Sequence, residues 1–289
     1  MRGSDDGRTA TIPPIETQPL DRHLANLYHP NMRIRKHFVA ATILSAIIAL
    51  GGCGEFNFNV PDPDVHFIAF GDSTTDGPSN RNYWDILRER LDEDPIRFVN
   101  EGNGGETTEE GLQRLQRIIA LETYPNATTL LLWEGGSDII DFIGETDSLL
   151  IFSPDSTDYP FAGRLTELLD DSQTNLEQQI SAAQVAGWEV YVATLFPIRE
   201  QTASCDPLPL NILLAPQAIN ANVYVRRLND RIVSAAENTG ATLVDIDSRS
   251  DEINASGENY FDCNHLSSAG NEIAADQFLR AFEANAAEQ

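Results

Sequence analysis

Val65-His66-Phe67-Ile68-Ala69-Phe70-Gly71-Asp72-Ser73-Thr74-Thr75-Asp76-Gly77 is the stretch from which the rest of the chain is read. Residues 65–70 form an apolar run stopped by a glycine, the pattern of a buried strand. The polar tail that follows puts a serine where strand turns towards helix. Outward from it, further apolar runs predict strands at 96–100, 128–133, 188–195 and 241–246. Helical periodicity marks 82–91, 107–121, 165–186, 216–238 and 267–286, with Thr107 and Glu110 in capping-box spacing. Strands alternating with helices in this way predict an α/β chain with a mostly parallel sheet covered on both faces. Two stretches, about 142–163 and 199–215, read as long loops of the kind that carries function.

Charge and composition narrow the possibilities. The 289 residues hold 19 Lys+Arg against 45 Asp+Glu, a net of −26, and 41% are hydrophobic. That is enough apolar material for one large α/β domain or two small ones. The acid excess excludes nucleic acid as a partner, because phosphate binding needs a Lys/Arg patch. Three cysteines cannot make a disulfide-rich scaffold. Nothing in the sequence sets an oligomeric state.

The N-terminal part reads as an address. Residues 1–31 are polar and turn-rich, then Met32-Arg33-Ile34-Arg35-Lys36-His37 is cationic and residues 38–50 are uncharged. That run is too short for a membrane span of about 20 residues, but it suits a signal-peptide core. It ends in Leu50-Gly51-Gly52-Cys53. The order resembles a bacterial lipoprotein signal, which implies a lipidated Cys53 and a place in the cell envelope, anchored on the periplasmic or outer face of a membrane. On this reading residues 1–31 are a mistaken upstream start or a disordered extension. Residues 32–52 are the signal peptide, 53–64 a polar tether, and 65–289 the functional domain. Six of the basic and four of the acidic residues precede Cys53, so the remainder sets 13 arginines against 41 acids, a net of −28. Such a surface stays hydrated when salt screens its self-repulsion, which points to a saline setting. The arginine usage by itself is equally what a GC-rich genome gives.

In a parallel sheet, ligands bind beyond the carboxyl ends of the strands, so the segments just after each strand matter most. After the first comes Gly71-Asp72-Ser73, which alone is also an ordinary turn. After the second comes Asn103-Gly104-Gly105-Glu106-Thr107, where the Gly105 N–H can face an oxyanion or belong to a flexible turn. After the third comes Glu134-Gly135-Gly136-Ser137-Asp138. Ahead of the last helix comes Asp262-Cys263-Asn264-His265, whose three-residue spacing lets the carboxylate reach the imidazole Nδ1–H and leaves Nε2 to take a proton. A metal at His265 would lack third and fourth ligands. His66, at the start of its strand, reads as a structural or surface residue.

The four segments together resemble the SGNH (GDSL-type) serine hydrolases over about residues 65–285. The resemblance implies a three-layer α/β/α sandwich with a flavodoxin-like five-stranded parallel sheet. It implies a carboxylic ester hydrolase working through an acyl-enzyme on a small-molecule, lipid or glycan ester, with no metal or organic cofactor. Ser73 would be the nucleophile, His265 its base and Asp262 the orienter of His265. The Ser73 and Gly105 N–H groups would form the oxyanion hole. One segment departs: where the family has Gly-x-Asn-Asp, this chain has Gly135-Gly136-Ser137-Asp138. Ser137 with a shorter donor, a bridging water or Asn103 would then complete the hole. Acyl transfer, deacetylation of envelope polysaccharide and a catalytically weak binding role are the alternatives. Cys205 and Cys263 fall in loops expected at one end of the sheet, so a disulfide there would pin His265 and add on the order of 4 kcal/mol by closing a long loop.

Overall fold

The computed structural model of the protein describes residues 60–204 and 212–288; the signal segment 32–52, Cys53 and Cys205 lie outside the described residues. Strand β1 (Phe67–Gly71) is an interior strand of the sheet, paired on both sides. Ile68, Ala69 and Phe70 are fully buried, which is why this strand reads as a continuous apolar run instead of an alternation. The short helix α1 (Ser73–Asp76) and α2 (Tyr83–Arg90) follow, then β2 (Phe98–Gly102), α3 (Thr108–Ala120), β3 (Thr129–Trp133) and α4 (Gly136–Thr146). The long α5 (Ala162–Val185) leads to β4 (Glu189–Ala193). The tiny strands β5 (Ala203–Ser204) and β6 (Ile212–Leu213) pair antiparallel before α6 (Ala215–Thr239), β7 (Thr242–Val244), α7 (Ser250–Asn254) and α8 (Ser268–Glu288).

The main sheet runs in the order β2-β1-β3-β4-β7, every neighbour parallel. This is the flavodoxin-like arrangement expected from the sequence. The chain steps one way from β1 to β2 and the other way from β2 onwards. Right-handed crossovers therefore send α2 to one face and α3, α5 and α6 to the other. The packing follows: α2 lies on α8, while α3, α5 and α6 pack side by side. On the first face Tyr83 stacks on Phe278 at 4.8 Å and meets the edge of Trp133 at 5.0 Å. Trp133, fully buried, donates its indole N–H to the Thr194 carbonyl at 3.0 Å, so its own polar group is paired.

Three expectations are corrected. The stretch from 142 does not open a loop, because α4 continues to Thr146. Ile139, Phe142 and Ile143 face the core at helical spacing, a signal masked by the glycine pair that starts the helix. The second strand begins at Phe98, since Pro95–Arg97 is a 3₁₀ turn with its proline at the first position. Within 199–215 the described ends form the β5–β6 pair rather than irregular chain. Among the described residues no helix is long and apolar enough to cross a membrane.

Candidate active site

Three turns at the carboxyl ends of β1, β2 and β3, and one loop before α8, meet around Ser73. Asp72 caps the first turn, its Oδ1 accepting the Thr74 N–H at 2.8 Å. Ser73 is thus the first residue of α1, where a backbone N–H has no partner within the helix. Gly71 makes this approach possible: at φ +153° it pairs with Trp133 in β3, and a Cβ there would sit 1.8 Å from the Trp133 carbonyl oxygen.

The second turn is held down by an ion pair that sequence reading did not find. Glu106, next to Gly105, is buried and accepts Nε of Arg114 on both oxygens, at 2.8 and 2.9 Å. Arg114 also contacts Glu101 at 3.1 Å, donates to the Gly71 carbonyl at 3.3 Å and lies 3.9 Å over the Phe70 ring. One guanidinium thereby locks the glycine turn to the ends of β1 and β2. Gly105 takes φ +86°, and among the described residues its N–H and that of Ser73 find no acceptor. The neighbouring Asn103 does not reach the site, because its side-chain amide donates to Glu106 at 3.3 Å.

The third turn is tied to the first. The Ser137 N–H donates to Asp72 Oδ2 at 3.2 Å, and Asp138 accepts the Thr108 N–H at 2.9 Å, the Thr108 hydroxyl at 2.8 Å and the Ser172 hydroxyl at 3.0 Å. Burial pushes the Asp72 carboxyl up, the Asp138 carboxyl up to about 6, and the Glu134 carboxyl well above the usual range. The Ser137 hydroxyl has no hydrogen bond among the described residues and lines the same cavity as Ser73 and Gly105.

The loop before α8 brings an imidazole to Ser73. Asp262 Oδ1 accepts the N–H groups of Asn264 and His265, both at 2.9 Å, which curls the loop back on its own carboxylate. Its Oδ2 lies 2.7 Å from His265 Nδ1. A carboxylate only accepts, so the proton sits on Nδ1 and Nε2 keeps its lone pair. Nε2 lies 2.9 Å from Ser73 Oγ, ready to accept the hydroxyl proton. The Tyr260 hydroxyl anchors the loop from below by donating to the Pro197 carbonyl at 2.9 Å. Cys263 is buried, with Sγ 3.0 Å from the Ser204 carbonyl. His66 stands away from all this, its Nδ1 2.9 Å from Arg97.

Two cavities flank Ser73. One, of about 40 Å³, is walled by Ile139, Leu195, Phe196, Ile198 and Val225. The other, of about 320 Å³, is bounded by Gly104, Gly105, Ser137, Asp141 and His265. The arrangement offers a hydroxyl with a base behind it, two free N–H groups, and space on both sides of the oxygen.

A family model described as GDSL-like lipase/acylhydrolase matches residues 67–278, a span that includes all four turns. Among solved structures, the acetylxylan esterase Axe2 from Geobacillus stearothermophilus matches with a TM-score of 0.53 at 19% identity, over 75% of this chain and 93% of its own. A member of the lipolytic G-D-S-L family from Veillonella parvula matches at 0.50 and 17%, over 76% and 98%. LAE5, an alpha/beta hydrolase from the metagenome of Lake Arreo, matches at 0.53 and 17%, over 77% and 96%. At these identities the likeness is one of fold. No curated relative matches the chain.

Proposed function

The chain belongs to the GDSL-like lipase/acylhydrolase family and is a carboxylic ester hydrolase, and from that premise we propose that Ser73, His265 and Asp262 carry the reaction. The observation that supports this most is the unbroken line Asp262–His265–Ser73, at 2.7 and 2.9 Å, facing two unpaired N–H groups. Ser73 Oγ attacks the ester carbonyl carbon while its proton passes to His265 Nε2. The carbonyl oxygen takes the negative charge and is held by the Ser73 and Gly105 N–H groups. When the tetrahedral adduct collapses, the alcohol leaves with the proton from His265. Water then attacks the acyl-enzyme, giving its proton to His265, and the acid departs as Ser73 regains its hydrogen. Asp262 keeps the imidazole in one tautomer throughout.

The acyl group in this reading is short. A cavity of about 40 Å³ has room for roughly three water-sized groups, enough for an acetyl and little more. The fold shared with an acetylxylan esterase is compatible with removal of acetyl groups from sugars. Across p-nitrophenyl esters from acetate to palmitate, kcat/KM is expected to peak at acetate. It should fall by about 10²-fold by octanoate, the cost of forcing methylenes into a packed wall. An optimum at octanoate or beyond would overturn the short-acyl assignment.

We also propose, from the sequence, that residues 32–52 direct export, that Cys53 carries the lipid anchor and that Cys205 bridges to Cys263. The contact of Cys263 Sγ with Ser204, the residue before Cys205, supports the bridge. Intact mass of protein taken from the membrane fraction should correspond to a chain beginning at an acylated Cys53. Thiol reagents should reach Cys205 and Cys263 only after reduction. A soluble, unprocessed chain would refute the anchor, and labelling without reductant would refute the bridge.

A further inference from the structure

The turn Gly135-Gly136-Ser137-Asp138 carries a short hydroxyl where the family carries an asparagine amide, and an amide stands unclaimed nearby. Asn264, between Cys263 and His265, borders both cavities beside Ser73. Its backbone is fixed: its N–H donates to Asp262 at 2.9 Å, and the carbonyl of the preceding Cys263 accepts the Arg199 N–H at 2.8 Å. Its side chain has no hydrogen bond among the described residues, and its Oδ1 is buried without a partner. Leaving Oδ1 unpaired costs about 1–3 kcal/mol, and it is the other end of the amide, the Nδ2 donor, that is uncommitted among the described residues and open to a ligand.

The position of this amide says what the use is. The two cavities have only Ser73, Ile140 and Asn264 in common. An ester that is attacked by Ser73 and occupies both cavities would pass this shared edge. Ser73 is the nucleophile and Ile140 is apolar, which leaves Asn264 as the one side-chain amide at the scissile bond. We propose that Asn264 touches the ester itself, its Nδ2 donating a hydrogen bond to the carbonyl oxygen as that oxygen becomes the oxyanion. It thus takes the part that the Ser137 hydroxyl is too short to fill. The inference rests on Ser73 being the nucleophile. It assigns a function to a residue that the Asp-x-x-His pattern leaves open.

The test is a double-mutant cycle on p-nitrophenyl acetate with wild type, Asn264→Ala, Ser137→Asn and the pair together. Asn264→Ala is expected to lower kcat/KM by about 10²–10³-fold, the cost of one oxyanion donor. The fall should lie in kcat rather than KM, with a melting temperature no lower than that of the wild type. The factor by which Ser137→Asn raises kcat/KM should be at least about tenfold larger in the Asn264→Ala background than in the wild type, since it restores an amide to the same oxygen. If Asn264→Ala does not fold, Asn264→Ser, which keeps the backbone and removes the amide, is read in its place. Unchanged kcat, a loss confined to KM, or an equal gain from Ser137→Asn in both backgrounds would each overturn the inference. A wild type that turns over no ester would instead refute the reading of Ser73, so the two failures are told apart.

Discussion

Alanine at position 73 is expected to cut ester hydrolysis by at least about 10⁴-fold, to the level that substrate binding and the oxyanion N–H groups sustain alone. The change removes one atom, the Oγ that lies 2.9 Å from His265 Nε2, and little else. The backbone N–H of residue 73 remains, and so do the Asp72 cap on Thr74 and the tie from Ser137 to Asp72. The fold should therefore be untouched, with the melting temperature of Ser73→Ala matching that of the wild type. A fluorophosphonate probe should label the wild type and leave the variant unmarked. Turnover of p-nitrophenyl acetate by Ser73→Ala within about tenfold of wild type would remove Ser73 from the mechanism, because no spread of kinetic error covers the remaining gap.

The largest effect on stability is expected two residues earlier. In Gly71→Ala the new methyl would lie 1.8 Å from the Trp133 carbonyl oxygen, a main-chain atom of the neighbouring strand that cannot move aside. The backbone there also holds φ +153°, which alanine resists. The Gly71 carbonyl in turn accepts the Asn103 N–H at 2.9 Å and Arg114, so any shift of β1 loosens the glycine turn of the site as well. We expect a loss above about 4 kcal/mol, seen as a fall of roughly 10 °C in melting temperature for a domain of this size. Gly144→Ala is the matched control, placed in α4 with open space around it, where alanine should be neutral or favourable by about 0.5–1 kcal/mol. Equal melting temperatures for the two variants would show that the β1–β3 contact is not as tight as its geometry.

What could be read from the sequence was what is local. Ile68 to Phe70 and Leu130 to Trp133 announce their burial because a central parallel strand has no solvent face, and each such run is a strand of the sheet. Thr107 and Glu110 cap α3 as their spacing suggests, the Thr107 N–H donating to the Glu110 carboxylate at 3.1 Å. The candidate site residues were legible because each follows a strand or precedes the last helix. The rest depended on contacts that no spacing encodes. Arg114 looked like any surface arginine of an amphipathic helix until the fold set it against Glu106, Glu101 and the end of β1. Residues 136–146 hid their helix behind two glycines that otherwise signal a turn. Asn103 sits closer in sequence to Gly105 than Asn264 does, yet Glu106 takes its amide, and Asn264 is the one left beside Ser73.

The span between the proposed nucleophile and its proposed base has a consequence for the life of the chain. Ser73 and His265 stand 192 residues apart, joined only after β2, β3, β4 and β7 have each found their places in the sheet. A chain emerging from its amino end presents Ser73 well before His265. If the two act together as proposed, forms in which they have not met should not hydrolyse esters, and pairing over such separations is the slow part of folding. On that reading hydrolysis should appear only once the loop before α8 reaches Ser73, so the appearance of activity in time would be a clock for completed folding.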